Sequence, residues 1–92
     1  MIASYASRDT EKLANGERVK QFEAIERTAR KKLAMLEAAE ELQALAVFPG
    51  NRLEKLSGSR RGQYSIRIND QYRICFRWKD GSCYEVEITD YH

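Results

Sequence analysis

The hydrophobic period of this chain changes from helical to stranded at Pro49-Gly50-Asn51. Before it, Phe22, Ile25, Ala29, Leu33 and Leu36 recur at the three- and four-residue spacing of one buried helix face. After it, Tyr64, Ile66 and Ile68 alternate with Ser65 and Arg67. Tyr72, Ile74 and Phe76 then alternate with Arg73, Cys75 and Arg77, the period of half-buried strands. A chain that is helical first and stranded second is expected to pack helices on one face of a sheet, an α+β arrangement.

The finer reading follows from caps and turns. Ile2 to Ser7 reads as a short strand. Ser7-Arg8-Asp9-Thr10-Glu11 offers N-cap residues for a short helix over 9–14, closed by Asn15-Gly16. The main helix is expected from Glu17 to near Leu36, filled with good helix formers. Residues 37–42 either extend it or form a second short helix. Asn69-Asp70 and Lys79-Asp80-Gly81-Ser82 mark turns, so a three-stranded antiparallel meander should follow, with Cys83 to Thr89 as its last strand. The 92 residues read as a single domain over 1–92, with no repeat or linker.

Net charge is only +2, but it is unevenly spread. Between residues 52 and 79 the bases Arg52, Lys55, Arg60, Arg61, Arg67, Arg73, Arg77 and Lys79 face only Glu54 and Asp70, a local excess of +6. The first fifty residues balance. A basic field beside a neutral remainder points to a polyanionic partner. Alternation puts Arg67 on the side of Ser65, and Arg73 with Arg77 on one side of the next strand. If those sides match, an open sheet face carries three guanidiniums, each a planar fork suited to phosphate. Arg60 and Arg61 would stand on the loop at its edge. The plainer alternative is a solvated sheet face that needs polar residues. Arg30, Lys31 and Lys32 form a second basic run, which pairing to Glu23 and Glu26 would also explain.

Cys75 and Cys83 match no metal-ligand spacing and read as reduced, buried residues of a cytoplasmic protein. The first residues lack the pattern of a signal peptide, and no stretch approaches a membrane span. The sequence ends on Asp90-Tyr91-His92, which includes its only histidine, directly after the alternating Val86-Glu87-Ile88-Thr89. A strand leading into three proton-handling side chains makes that triplet the first candidate site.

Leu56-Ser57-Gly58, the run from Gly62 through Tyr72-Arg73-Ile74 to Phe76, and the terminal Asp90-Tyr91-His92 together resemble the HigB branch of the RelE superfamily of toxins. Asn51 to Leu56 and Lys32 to Leu36 are similar to its GraT-type members. The resemblance implies the RelE-like fold and a toxin of a type II toxin–antitoxin pair. It implies a ribosome-dependent endoribonuclease that cuts messenger RNA in the decoding site with no metal or other cofactor. The implied partners are a HigA-type helix-turn-helix antitoxin, the ribosome and messenger RNA, with operator DNA reached only through the antitoxin and no membrane.

Carried over by position, Arg73 corresponds to the family's arginine near the scissile phosphate, and Asp90, Tyr91 and His92 to its C-terminal active-site residues. The pattern departs at Glu54 and Ser57, where some HigB members carry His and Lys. Metal-free cleavage needs a base for the 2′-hydroxyl, cations for the phosphate oxygens and an acid for the leaving 5′-oxygen. The expected roles are His92 as acid, Glu54 as base, Asp90 orienting the imidazole, Tyr91 stacking or donating a hydrogen bond, and Arg73 with Arg67 stabilising the transition state. Arg52, Lys55, Arg60, Arg61, Arg67 and Arg77, with Arg30, Lys31 and Lys32, are the expected RNA contacts. A simple Glu54 salt bridge is an equal alternative to catalysis. A non-catalytic ribosome-binding growth inhibitor and a protein-binding subunit of a repressor complex are the rival functions.

Overall fold

The computed structural model describes residues 1–90, so the expectations for Tyr91 and His92 lie outside the described residues. Helix α1 (Arg8–Ala14) starts where Ser7 Oγ accepts from the Thr10 backbone N–H at 3.3 Å. It ends at Asn15, followed by Gly16 at φ +90°. The main helix begins later than its apolar spacing suggests. Residues Lys20–Ile25 are 3₁₀, and α2 runs over Glu26–Ala38. The Arg30 side chain holds the connection that precedes this segment. Its guanidinium donates to the carbonyls of Leu13 (3.1 Å) and Glu17 (3.0 Å). A separate short helix, α3 (Leu42–Ala46), replaces the one sought over 37–42.

The sheet gains a strand over the expected meander. Among the described residues its order is β1 (Glu54–Lys55), β2 (Tyr64–Arg67), β3 (Tyr72–Lys79) and β4 (Ser82–Asp90), all antiparallel neighbours. Two residues are too few to show alternation, so β1 leaves no period in the sequence. Asp80 and Gly81 both have positive φ, as a two-residue hairpin turn between β3 and β4 requires. Asn69 Oδ1 closes the β2–β3 connection by accepting from the backbone N–H of Gln71 (2.9 Å) and Tyr72 (2.7 Å).

Strand β4 carries a bulge. Cys75 pairs with Glu87 but Arg77 pairs with Tyr84, so β4 spends one extra residue there, and Glu85 takes φ +54°. The bulge reverses the side-chain alternation. Val86 and Ile88 face the helices, and so does Cys83, whereas Tyr84 turns outward. The N-terminal segment is therefore not the continuous strand expected. It lies parallel to β4 and bridges it at Ile2–Cys83 and Tyr5–Val86, on either side of the bulge. Thr10 Oγ1 accepts from the Ile88 N–H at 2.9 Å, which covers the rest of that edge.

The core lies between the helices and the inner sheet face. Phe22, Ile25, Ala29, Leu33 and Leu36 pack with Ile66, Ile74, Phe76, Val86 and Ile88. Phe22 meets Tyr72 edge to face at 5.8 Å. Cys75 and Cys83 are free and buried. Among the described residues no helix is long and apolar enough to cross a membrane.

Candidate active site

The register gathers the outer face of the sheet into one site. Arg67 lies opposite Arg73, Ser65 opposite Cys75, Arg73 opposite Thr89, and Cys75 opposite Glu87. The face is not open as expected. Residues 51–63 fold over it, and Ser65, Arg73 and Cys75 are buried, Arg73 at 9% exposure.

Arg73 is held from two sides. Its Nε donates to Ser65 Oγ at 2.7 Å, and its Nη2 donates to the Arg52 carbonyl at 2.7 Å. The Arg52 backbone is left-handed (φ +44°), which aims that carbonyl back at the sheet. Glu54, on β1 opposite Ser65, places Oε2 3.8 Å from Arg73 Nη2 and keeps its own side chain 54% exposed. The two residues singled out as base and phosphate-stabiliser thus meet, one solvent-facing and one fixed. A fixed guanidinium beside a wet carboxylate can bind an anion and accept a proton within one site.

Lys32 approaches from α2. Its ammonium donates to Asn51 Oδ1, while the Asn51 amide donates to the Leu45 carbonyl at 3.0 Å. Burial lowers the Lys32 pKa below 10.5, and the neighbouring charges of Lys31 and Arg67 add to the shift. That coupling places Lys32 and Arg67 in one electrostatic field at the end of β2. Arg67 is itself paired with Asp70. Asn51 and Ser65 escaped the sequence reading as functional positions. Asn51 stood in a chain-breaking Pro-Gly-Asn, and Ser65 looked like a solvent-facing strand residue.

Arg60 reaches over the sheet rather than standing at its edge. It donates to Gln63 Oε1 (3.0 Å), Glu87 Oε1 (3.3 Å) and Thr89 Oγ1 (3.4 Å). Cys75 lies beneath, and burial pushes its thiol up despite a hydrogen bond with Thr89 and the nearby Arg60. Arg77 pairs with Glu85 at 2.7 Å and touches the Arg61 carbonyl at 3.5 Å. Lys31, Arg52, Lys55 and Arg61 are exposed. Arg30 is spent elsewhere, bonded to α1 and to Glu26 at 2.9 Å, the i, i+4 pair the sequence allowed. The helix splits the basic run, sending Arg30 and Lys32 to different sides. Asp90 is exposed at the end of β4 and accepts from Gln71 Nε2 at 2.9 Å. Alternation sets it with Ile88, across the sheet from Thr89. Among the described residues no group of three or more His, Cys, Asp or Glu is placed to hold a metal ion.

Residues 11–92 match the family described as RelE-like toxin of type II toxin-antitoxin system HigB. The chain belongs to this family. Toxin HigB-1 of Vibrio cholerae is 47% identical over 58 residues, a match covering 63% of this chain and 61% of that protein. An uncharacterized protein of Haemophilus influenzae is 38% identical over 50 residues, 54% of this chain and 50% of that protein. The matched segments thus span less than two thirds of either relative. The HigB-type chain also shares its fold with a toxin–antitoxin structure from Staphylococcus aureus, the heterotetrameric YoeB–YefM complex. There the TM-score is 0.60 at 20% identity, over 100% of this chain and 98% of the other. A second YoeB–YefM structure from that organism gives 0.56 at 21% identity, again over 100% and 98%. At such identities the likeness speaks for the fold alone.

Proposed function

We propose that this HigB-family chain is a growth-inhibiting endoribonuclease that cuts messenger RNA in the ribosomal decoding site by metal-independent acid–base chemistry. The single observation that carries the proposal is the Arg73–Glu54 arrangement. A buried guanidinium, held by Ser65 and the Arg52 carbonyl, stands beside an exposed carboxylate 3.8 Å away. In this reading Glu54 takes the 2′-hydroxyl proton, and Arg73 with Arg67 stabilises the phosphorane. His92 protonates the leaving 5′-oxygen and Tyr91 stacks on a base, while Asp90, bonded to Gln71 on the other face of the sheet, acts only by steadying the end of β4. Arg52, Lys55, Arg61 and Lys32 supply the surrounding phosphate contacts, with Lys31, Arg60 and Arg77 further out. A HigA-type antitoxin is the partner that silences it, in the cytoplasm.

The same ion pair favours a second reading. A guanidinium already serving a carboxylate has less to offer a phosphate, so the chain could arrest growth by binding ribosomes without cutting. The two readings part when wild type, Arg73→Ala and His92→Gln are induced in bacteria lacking the antitoxin and new messenger 5′ ends are mapped. Cleavage predicts ends inside reading frames, in step with codons, and their loss in both variants. General acid–base help is worth about 10²–10⁴-fold, so residual cutting by His92→Gln is compatible with it. Growth arrest with no new ends would select the non-catalytic reading.

A further inference from the structure

Beyond Arg73 along β3, the outer face ends in a second feature that the cleavage chemistry does not use. A hollow of about 500 Å³ is lined by Gly62, Arg77, Trp78, Lys79, Tyr84 and Glu85. That volume falls within the roughly 300–1,000 Å³ of small-ligand sites. Tyr84 reaches it only because of the β4 bulge. Regular alternation would set Tyr84 with Val86 and Ile88 against the core, whereas the extra residue turns it outward at 37% exposure. The bulge is held at some cost, with Glu85 at φ +54° and its backbone N–H donating to Ser4 Oγ at 2.9 Å. Strained backbone that re-aims one side chain is a common mark of a binding site.

The walls are chemically specific. Tyr84 stands directly opposite Arg77, whose Nε is 2.7 Å from Glu85 Oε2. That pairing neutralises the one acid of the hollow and holds the guanidinium in place. Gly62 carries no side chain where Arg77 passes; a Cβ there would come within 2.7 Å of Nη1. Lys79 is exposed on the rim. An aromatic ring, a fixed guanidinium and a free-standing ammonium are the parts of a nucleotide site: one face to stack a base, cations for its phosphate. Protein interfaces also favour Tyr and Arg but are depleted in Lys, so the exposed Lys79 is the wall group that favours a nucleotide.

We propose that this hollow binds one unpaired nucleotide of an RNA strand whose scissile phosphate lies at Arg73. The base stacks on Tyr84, and the phosphate is held chiefly by the exposed Lys79, with the Glu85-paired Arg77 closing the side of the hollow. Arg73 and Arg77 are four strand residues apart, about 13 Å, so a single extended strand can reach both. This subsite rests on the RNA-cleaving reading above and adds to it a contact remote from the chemistry.

The test exploits Trp78, the only tryptophan of the chain, which lines the hollow. The full chain is titrated with a fluorescein-labelled, unstructured ten-nucleotide RNA whose 2′-hydroxyls are methylated, so that binding is read without cleavage. Anisotropy reports all binding, and Trp78 emission reports the hollow. The expected result is that both signals saturate together. Tyr84→Ala should weaken the affinity by about 5- to 100-fold, the range for one lost base stack, and Tyr84→Phe should keep it. Equal affinity in Tyr84→Ala would overturn the subsite and leave the cleavage reading standing. No anisotropy change in the wild type would overturn the subsite as a site for free RNA, while the ribosome-dependent cleavage reading stands or falls on the mapped 5′ ends. A Tyr84→Ala chain that binds RNA normally but loses purified antitoxin would reassign the hollow to protein docking.

Discussion

At the scale of single residues, placement depends on what covers a strand as much as on the strand itself. Alternation correctly set Ser65, Arg67 and Arg73 on the face away from Ile66 and Ile74. It could not show that Arg73 would be buried, because the cover comes from residues 51–63, which have no period of their own. Ser65 is the residue this hides. It is fully buried, and its hydroxyl accepts from Arg73 Nε at 2.7 Å. Hydrogen bonds to charged groups are worth about 1.5–3 kcal/mol, because a lost partner leaves a charged donor poorly solvated. Ser65→Ala should therefore lower unfolding stability in urea by about 1–3 kcal/mol and weaken growth arrest. Ser59→Ala, at an exposed position of the 3₁₀ turn Gly58–Arg60, should stay within about 0.5 kcal/mol. Equal stability of the two variants would show that the Ser65 bond does not fix Arg73.

At the scale of elements, the helices and the hairpins were legible and the irregularities were not. The spacing of Phe22 to Leu36 located the buried face but not the 3₁₀ segment Lys20–Ile25, because Phe22 and Ile25 keep a three-residue apolar spacing in either helix type. From Tyr84 through Glu85, Val86 and Glu87 to Ile88 the alternation runs unbroken and groups Tyr84 with the core residues, so the pattern hides the bulge that turns Tyr84 outward. The loop before β2 offers a test of which local constraint dominates. Gly62 has φ +91°, and a Cβ there would meet Arg77 Nη1 at 2.7 Å. The clash is with the tip of a flexible side chain and can be relieved. The left-handed backbone cannot, at about 1–2 kcal/mol for a residue with a Cβ. Gly62→Ala should lose about that much stability. Adding Arg77→Ala should not restore it, leaving a coupling energy under about 0.5 kcal/mol in the double-mutant cycle. A coupling above about 1 kcal/mol would mean that the close approach governs instead.

At the scale of the whole molecule, both sides of the sheet seal a thiol, and this sets how the fold meets alkali. Cys83 lies in the helix-side core, and burial pushes its pKa from 9.0 up to about 11. Cys75, beneath the Arg60 cover, and Tyr5, against the N-terminal edge, are raised as well, each chiefly by burial. For all three the folded state prefers the neutral form. Their contribution is intact below the unfolded values and disappears as the pH climbs through the folded ones. Lys32 acts the other way, since its lowered pKa gives up a buried charge as pH rises. Cys83 carries the large shift among them, and its window runs from about pH 9 to about 11. At pH 10.5 its share of the loss is on the order of 2 kcal/mol. Urea midpoints of the wild type should therefore drop between pH 8 and pH 10.5. In Cys83→Ala, less stable at the outset because of the cavity, the drop should be clearly smaller. Identical drops would move the cause to Cys75 and Tyr5. At pH 8 neither thiol should react with an aromatic disulfide reagent faster than the chain unfolds, because both are at 0% exposure and neither can be reached while the sheet is covered on both faces.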